Sequence, residues 1–111
     1  MDVFKEAFDE LAIKAKERLG GDLVSLIQYG STARGKAVIG ESDADVFAVV
    51  RNKKAKEELF DISFEIGLAS GILFSVIVRT IEELTLMREM DSIYLREVAK
   101  TGKVLYGKAV G

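Results

Sequence analysis

The sequence contains neither cysteine nor histidine, and both absences restrict the chemistry available to the protein. Disulfide bonds, zinc sites built on these residues, cysteine nucleophiles and histidine general bases are all excluded. Acid–base chemistry therefore depends on carboxylates, lysine or tyrosine. Proline is also absent, so the breaks between helices and strands must rely on glycine, aspartate, serine and charge.

Long apolar runs and blocks of like charge are missing as well. No apolar stretch approaches the ~20 residues of a transmembrane helix, and the N-terminus shows no secretory signal pattern, which predicts a cytoplasmic protein without a membrane partner. The net charge is −2 and the like-charge clusters are only pairs, which argues against an extended nucleic-acid surface. We predict one domain over residues 1–111.

Two short apolar runs, residues 22–29 and 44–51, are rich in β-branched residues and predict buried strands. The segment between them begins with Gly30 and Ser31 and ends with an Asp-x-Asp motif. Because the connection is too short for a packed crossover, the two strands are predicted to be antiparallel.

The Asp-x-Asp motif, Asp43 and Asp45, forms a candidate metal site. Side chains alternate along a strand, so both carboxylates project to the same side, roughly 6–7 Å apart. Two close carboxylates repel each other, and one is pushed toward its protonated form unless a cation is present. Mg²⁺ is typically held by one or two carboxylates together with substrate phosphates, so the pair predicts a site for Mg²⁺ or Mn²⁺.

Gly30, Ser31 and Arg34 form a candidate phosphate-binding segment. A glycine at a strand end permits a tight turn and close approach of the backbone to a ligand. Ser31 is predicted to cap a short helix at about residues 32–36, whose free N–H groups suit phosphate. Arg34 on its first turn can form paired hydrogen bonds with phosphate oxygens. Each feature alone is usually a turn, a cap or a surface residue, whereas their combination is uncommon.

The combined pattern resembles the signature of the nucleotidyltransferase superfamily that includes DNA polymerase beta, especially its minimal archaeal and bacterial members. The matching positions are Gly30, Ser31, Ala33, Arg34, Gly35, Ser42, Asp43 and Asp45. The resemblance implies transfer of a nucleoside monophosphate from an NTP, with ATP expected, to a hydroxyl that a partner protein could carry. It assigns catalysis and metal binding to the aspartate pair, and nucleotide or phosphate binding to Gly30, Ser31 and Arg34.

One position departs from the family pattern. The resemblance implies a third carboxylate on the third strand, which helps to hold metal and accepts the proton of the attacking hydroxyl. Its best counterpart here is Ser75, and serine is a poor Mg²⁺ ligand and no base near neutral pH. Losing a general base costs about 10²–10⁴-fold in rate. The alternative function is therefore a catalytically weak or inactive nucleotide-binding module, of antitoxin type, that acts by binding a partner.

The resemblance also implies what the partner is. Minimal nucleotidyltransferases are commonly paired with a small helical HEPN-domain protein, as in toxin–antitoxin systems. A second copy of the chain is the other candidate for completing the acceptor pocket. A nucleotide-sensing regulatory domain is a third possible function.

The remaining signals predict the fold. The third strand, residues 72–79, is nearly continuously apolar and is predicted to be central and parallel to the second strand, because a helical segment joins them. The other predicted elements are a helix capped by Asp2 and stopped by Gly20-Gly21, a helix over residues 53–69, a helix opened by a capping box at Thr80 and Glu83, a helix over residues 92–101 capped by Asp91, and an extended tail over residues 104–107. We predict an α/β (α+β) nucleotidyltransferase fold: a small mixed sheet of three or more strands, with helices mainly on one face.

Overall fold

A computed structural model describes residues 2–38 and 40–110, which contain five α-helices and four β-strands. In chain order the elements are α1 (Val3–Leu19), β1 (Leu23–Tyr29), α2 (Gly30–Ala33), β2 (Ala44–Val50), α3 (Lys53–Ser70), β3 (Phe74–Thr80), α4 (Ile81–Glu89), α5 (Ile93–Thr101) and β4 (Lys103–Gly107). The predicted α+β class is confirmed. Within the described residues, every helix is too short or too polar to span a membrane.

The four strands form one mixed sheet in the order β3-β2-β1-β4. β1 and β2 are antiparallel and β2 and β3 are parallel, with α3 as the crossover, as predicted. The extended tail becomes β4, which pairs antiparallel with the other side of β1. The C-terminal segment therefore completes the sheet and makes β1 and β2 its central strands.

The prediction that the third strand is central is wrong, because β3 lies at the edge of the sheet. An apolar run predicts that side chains are buried, and in β3 the helices on the two faces of the sheet supply part of that burial. Strand neighbours on both sides are not needed for it. The edge position leaves most β3 side chains only half-buried, and Leu73, predicted inside the strand, precedes it and is 69% exposed.

Helices cover both faces of the sheet, so the prediction that they lie mainly on one face is wrong. The long helices α1 and α3 pack on one face, in a core cluster that includes Val46, Ala48 and Val50 of β2. The shorter helices α4 and α5 pack on the other face, against Phe47 and Val49 of the same strand. All five of these β2 side chains are fully buried, so alternation along one strand serves two cores.

Side chains cap four of the helices, and Asn52 caps α3 by accepting a hydrogen bond from the Ala55 amide. Asp2 accepts a hydrogen bond from the Lys5 amide, and Thr80 and Glu83 form the predicted capping box. For α5 the prediction is wrong: Ser92 is the cap, and Asp91 stands one residue too early. Asp91 has a positive φ of 51° and pairs instead with the Arg96 guanidinium.

Candidate active site

Asp45 lies near the start of β2, between two polar neighbours. The strand register places it opposite Tyr29 of β1 and beside Ser75 of β3. Registered neighbours project to the same face of a sheet, and Phe47 and Ile77, two positions further along, contribute to the core under α4 and α5. Ser75 therefore stands next to Asp45 on the same face of the sheet.

Asp43 precedes β2 and is exposed, whereas Asp45 is half-buried. Burial raises the pKa of the Asp45 carboxyl, the charge of Asp43 raises it further, and the Arg34 guanidinium opposes both effects. Asp43 and Arg34 are therefore close enough to Asp45 for their charges to affect its ionisation. The repulsion that a divalent cation would relieve is thus present at this site.

Gly30 joins the predicted phosphate-binding segment to the carboxylates. Its φ is +72°, a conformation that favours glycine, and a Cβ atom added there would collide with Oδ2 of Asp45. The bare backbone of Gly30 therefore lies against the carboxylate. Only glycine satisfies both the backbone angle and the close approach.

The helix after Gly30 is shorter than predicted and begins earlier. It spans Gly30–Ala33, with Tyr29 at its N-cap position and no side-chain cap. The positive φ of Gly30 starts the turn at once, so Ser31 lies inside the helix and does not cap it, and Arg34 follows its end. Because four residues carry little helix dipole, any phosphate affinity here rests on the Ser31 hydroxyl, local amides and Arg34.

Ser42 orders the end of the loop that leads to the aspartates. Its hydroxyl accepts a hydrogen bond from the Val38 amide at 2.9 Å, and its own amide donates to the Val38 carbonyl at 2.9 Å. Ser42 therefore closes a compact turn directly before Asp43. Ile39 of this loop lies outside the described residues.

A pair of tyrosines beside Asp45 was not predicted from the sequence. The hydroxyls of Tyr29 and Tyr94 share a hydrogen bond, and their rings meet edge to face with centroids 5.7 Å apart. Burial raises the pKa of both hydroxyls, and the charge of Asp45 adds to the effect. The position of Tyr29 directly before Gly30 was an available signal. Tyr94 had none, because α5 carries it to the site from a distant part of the sequence.

The oxygen donors of this site suit a hard cation whose coordination shell substrate phosphates would complete. Among residues 2–38 and 40–110, no group of three or more His, Cys, Asp or Glu side chains gathers to form an all-protein metal cage. Asp43 and Asp45 supply two carboxylates, which is the number that Mg²⁺ typically takes from a protein when phosphates occupy other positions. Ser75, beside Asp45 in the register, adds a hydroxyl to this donor set and no third carboxylate.

Sequence comparison identifies the family to which the chain belongs. The chain belongs to the nucleotidyltransferase domain family, whose model matches residues 9–98. It is 36% identical over 83 residues to a protein of Methanocaldococcus jannaschii that carries the name protein adenylyltransferase. That match covers 70% of this chain and 56% of the relative, so the chain spans about half of the relative's length.

Structural comparison gives the same fold. A toxin–antitoxin complex with AMP-PNP contains a chain that is 19% identical, with a TM-score of 0.58, covering 90% of this chain and 73% of that one. A complex of tri-AMPylated Shewanella oneidensis HEPN toxin with MNT antitoxin contains a chain that is 16% identical, with a TM-score of 0.51, covering 95% and 73%. At these identities the likeness establishes the fold alone.

Proposed function

We propose that the protein is a nucleotidyltransferase that transfers a nucleoside monophosphate from an NTP, with ATP preferred, to a hydroxyl on a partner protein. The observation that carries the proposal is the junction of the Gly30 backbone with the Asp45 carboxylate, with Asp43 and Arg34 beside it. Membership of the family supports the reaction class. The adenylyltransferase name of the relative and the AMPylated HEPN toxin in one structural neighbour favour AMP and a protein acceptor.

Each residue of the site has a role in this reaction. Asp43 and Asp45 would hold Mg²⁺ or Mn²⁺, which supplies charge neutralisation and orientation of the triphosphate when bound. The Ser31 hydroxyl and neighbouring amides would bind the β- and γ-phosphates, and Arg34 another phosphate oxygen. The bare backbone of Gly30 leaves room for the Asp45 carboxylate, which a side chain at this position would displace. Positioning and electrostatics of this kind carry most of the catalysis in phosphoryl-type transfer.

Ser75 favours a second candidate function. A hydroxyl next to Asp45 cannot accept the acceptor's proton near neutral pH, so transfer would be slow while nucleotide and metal binding persist. The protein would then act chiefly by binding its partner, for which a helical HEPN-type protein is the expected class.

The test is a transfer assay with labelled ATP, Mg²⁺ and a HEPN-type protein as the candidate acceptor. The double substitution Asp43→Ala/Asp45→Ala should abolish both transfer and Mn²⁺–nucleotide binding, whereas Asp9→Ala, which removes an exposed carboxylate paired with Lys5, should change neither. Equal binding by the wild type and the double variant would overturn the site assignment.

The substitution Ser75→Asp separates the two candidates. If the missing base limits the rate, Ser75→Asp should raise transfer by about 10-fold or more, because a carboxylate there can hold metal and accept a proton. Robust transfer by the wild type that falls in Ser75→Asp would mean that the chemistry needs no base at this position. Wild-type transfer near zero with intact nucleotide binding favours the binding module.

A further inference from the structure

An apolar groove runs along the free edge of the sheet, between α3 and β3. It lies on the face of the sheet opposite to the one that carries Asp45. It is lined by Phe60, Phe64, Leu68, Leu73, Phe74 and Val76. Phe64, Leu68 and Leu73 are each about two-thirds or more exposed. Large apolar side chains grouped in one exposed groove mark an interaction surface far more often than isolated ones do.

The backbone beside this groove has unpaired hydrogen-bonding groups. The Ala44 amide donates to the Leu73 carbonyl at 2.9 Å, so the odd-numbered residues of this segment face β2. Because backbone direction alternates along a strand, the amides and carbonyls of Phe74, Val76 and Val78 point outward. In the described chain no strand lies beyond β3, which leaves this row open for a further strand.

One end of the open row is protected. The Arg79 guanidinium donates to the Val78 carbonyl at 3.1 Å, and a charged side chain on the edge is a common defence against strand addition. Phe74 and Val76 have no such cover, and residues 72–78 contain no charged side chain. The unprotected part of the edge is therefore short and adjoins the groove.

We propose that this edge pairs with the same edge of a second copy, with the two β3 strands antiparallel about a two-fold axis at Ser75. In this register Phe74 of each copy pairs with Val76 of the other, so the unprotected groups satisfy each other. Gly67 of α3 lies against Ile72 and Phe74. This alignment places Phe64, about one helical turn earlier, near the axis, where it meets its counterpart.

The charge pattern favours a second copy as the occupant. Ser75 of each copy stands directly opposite Ser75 of the other in this register, and two hydroxyls there can share a hydrogen bond. Two carboxylates directly opposite each other would destabilise the pair. A serine at position 75 is thus compatible with symmetric pairing, and residues 72–78 carry no charge; the charged residue among those that line the groove, Asp61, belongs to α3 and is exposed.

The size of the surface indicates a weak, reversible dimer. A standard interface buries about 800 Å² per partner, and four exposed apolar side chains with a short strand edge offer less. We expect a dissociation constant on the order of 10 μM. Ser75 at the axis adjoins Asp45, but the groove lies on the opposite face of the sheet, so the pairing does not depend on the proposed function.

The first test is sedimentation velocity of the full chain between about 1 and 500 μM. The expected result is a shift from monomer to twice the monomer mass, which Phe64→Lys weakens by ~10-fold or more. The matched control is Ile13→Lys on α1, an apolar position outside the groove that is 57% exposed against 67% for Phe64, and it should leave the shift unchanged. A monomer at every concentration, or equal effects of the two variants, overturns the proposal.

The second test fixes the register. The chain has no cysteine, so Ser75→Cys introduces a single thiol, and in a non-hydrogen-bonded antiparallel pair the two Cα atoms lie about 4.5 Å apart, within disulfide range. Mild oxidation should give a covalent dimer. Ile77→Cys should give none, because its two copies would be about 13 Å apart. Cross-linking of Ile77→Cys but not Ser75→Cys, or of neither variant, overturns the proposed pairing.

Discussion

The two faces of the sheet share the same strands and differ in what their buried positions carry. Under α1 and α3 the cluster is large and almost purely apolar, with fully buried residues such as Leu11, Leu59 and Ile62. Under α4 and α5 it is smaller and includes the hydroxyls of Tyr29 and Tyr94. The site lies at the end of the second, more polar face.

This difference separates stability from chemistry. The apolar face gains free energy from buried area without polar groups to satisfy. The polar face holds Asp45, whose charge is disfavoured by burial and by Asp43, and its buried hydroxyls need partners. No buried side-chain nitrogen or oxygen of the described residues lacks a hydrogen-bond partner. The buried polar groups of the site are therefore hydrogen-bonded, and most of the stabilisation comes from the apolar face under α1 and α3.

The largest expected effect is on the apolar face. Leu59→Ala should lower the free energy of unfolding by about 3 kcal/mol, since it leaves a cavity in a fully buried region, while Mn²⁺–nucleotide affinity of the folded protein stays unchanged. Urea unfolding and a titration at low temperature check the two quantities. Leu86→Ala, at a position 56% exposed, should cost less than ~0.5 kcal/mol. A matching loss of affinity in Leu59→Ala would contradict the separation of the faces.

Gly30→Ala should damage both properties. The positive φ costs an L-residue roughly 1–2 kcal/mol, and the added methyl also displaces Asp45, so nucleotide affinity should fall by about tenfold or more. Gly35→Ala is the matched control, because Gly35 has φ +69° but open space around an added Cβ. It should lose stability alone, and equal losses of affinity in the two variants would refute the contact argument.

The affinity for Mn²⁺ alone should depend on pH. Metal binding needs the ionised carboxylate, and the pKa of Asp45 is raised by its burial and by Asp43. As pH falls, affinity should therefore begin to drop at a higher pH than for an ordinary aspartate, by up to ~10-fold per pH unit below that pKa. Titration calorimetry at several pH values measures the drop. A pH-independent affinity down to the normal range of aspartate would count against this site.

The smallest expected effect has the opposite sign to that of Leu59→Ala. A raised pKa means that the folded protein binds the Asp45 proton more tightly than the unfolded chain does, so ionisation above the unfolded pKa costs stability. Asp45→Asn should then raise the free energy of unfolding at pH 7, without metal, by ~0.5 kcal/mol at most, because solvent screens this half-exposed carboxylate. Urea unfolding in EDTA tests this. Asp9→Asn, which loses only an exposed ion pair, should not raise the free energy of unfolding. Destabilisation by Asp45→Asn would contradict the argument that burial and Asp43 disfavour the charge of Asp45.

Much of the local structure is decided by the sequence itself. The short apolar run after Asp45, with its β-branched residues, defines β2. Thr80 and Glu83 define the start of α4, and the short connection makes β1 and β2 antiparallel. These features depend on neighbouring residues and on steric rules that act within a few positions. The Gly-Ser and Asp-x-Asp motifs could be found for the same reason.

Only the tertiary structure decided the order of the strands and the partners of the site. The apolar run of β3 does not reveal whether neighbouring strands or helices bury it, so its edge position depends on β4 pairing with β1. Tyr94 reaches Tyr29 across 65 positions, and Ser75 stands beside Asp45 through the β2–β3 register. Contacts between distant segments arise from competition among many packings of the whole chain, which a local pattern does not record.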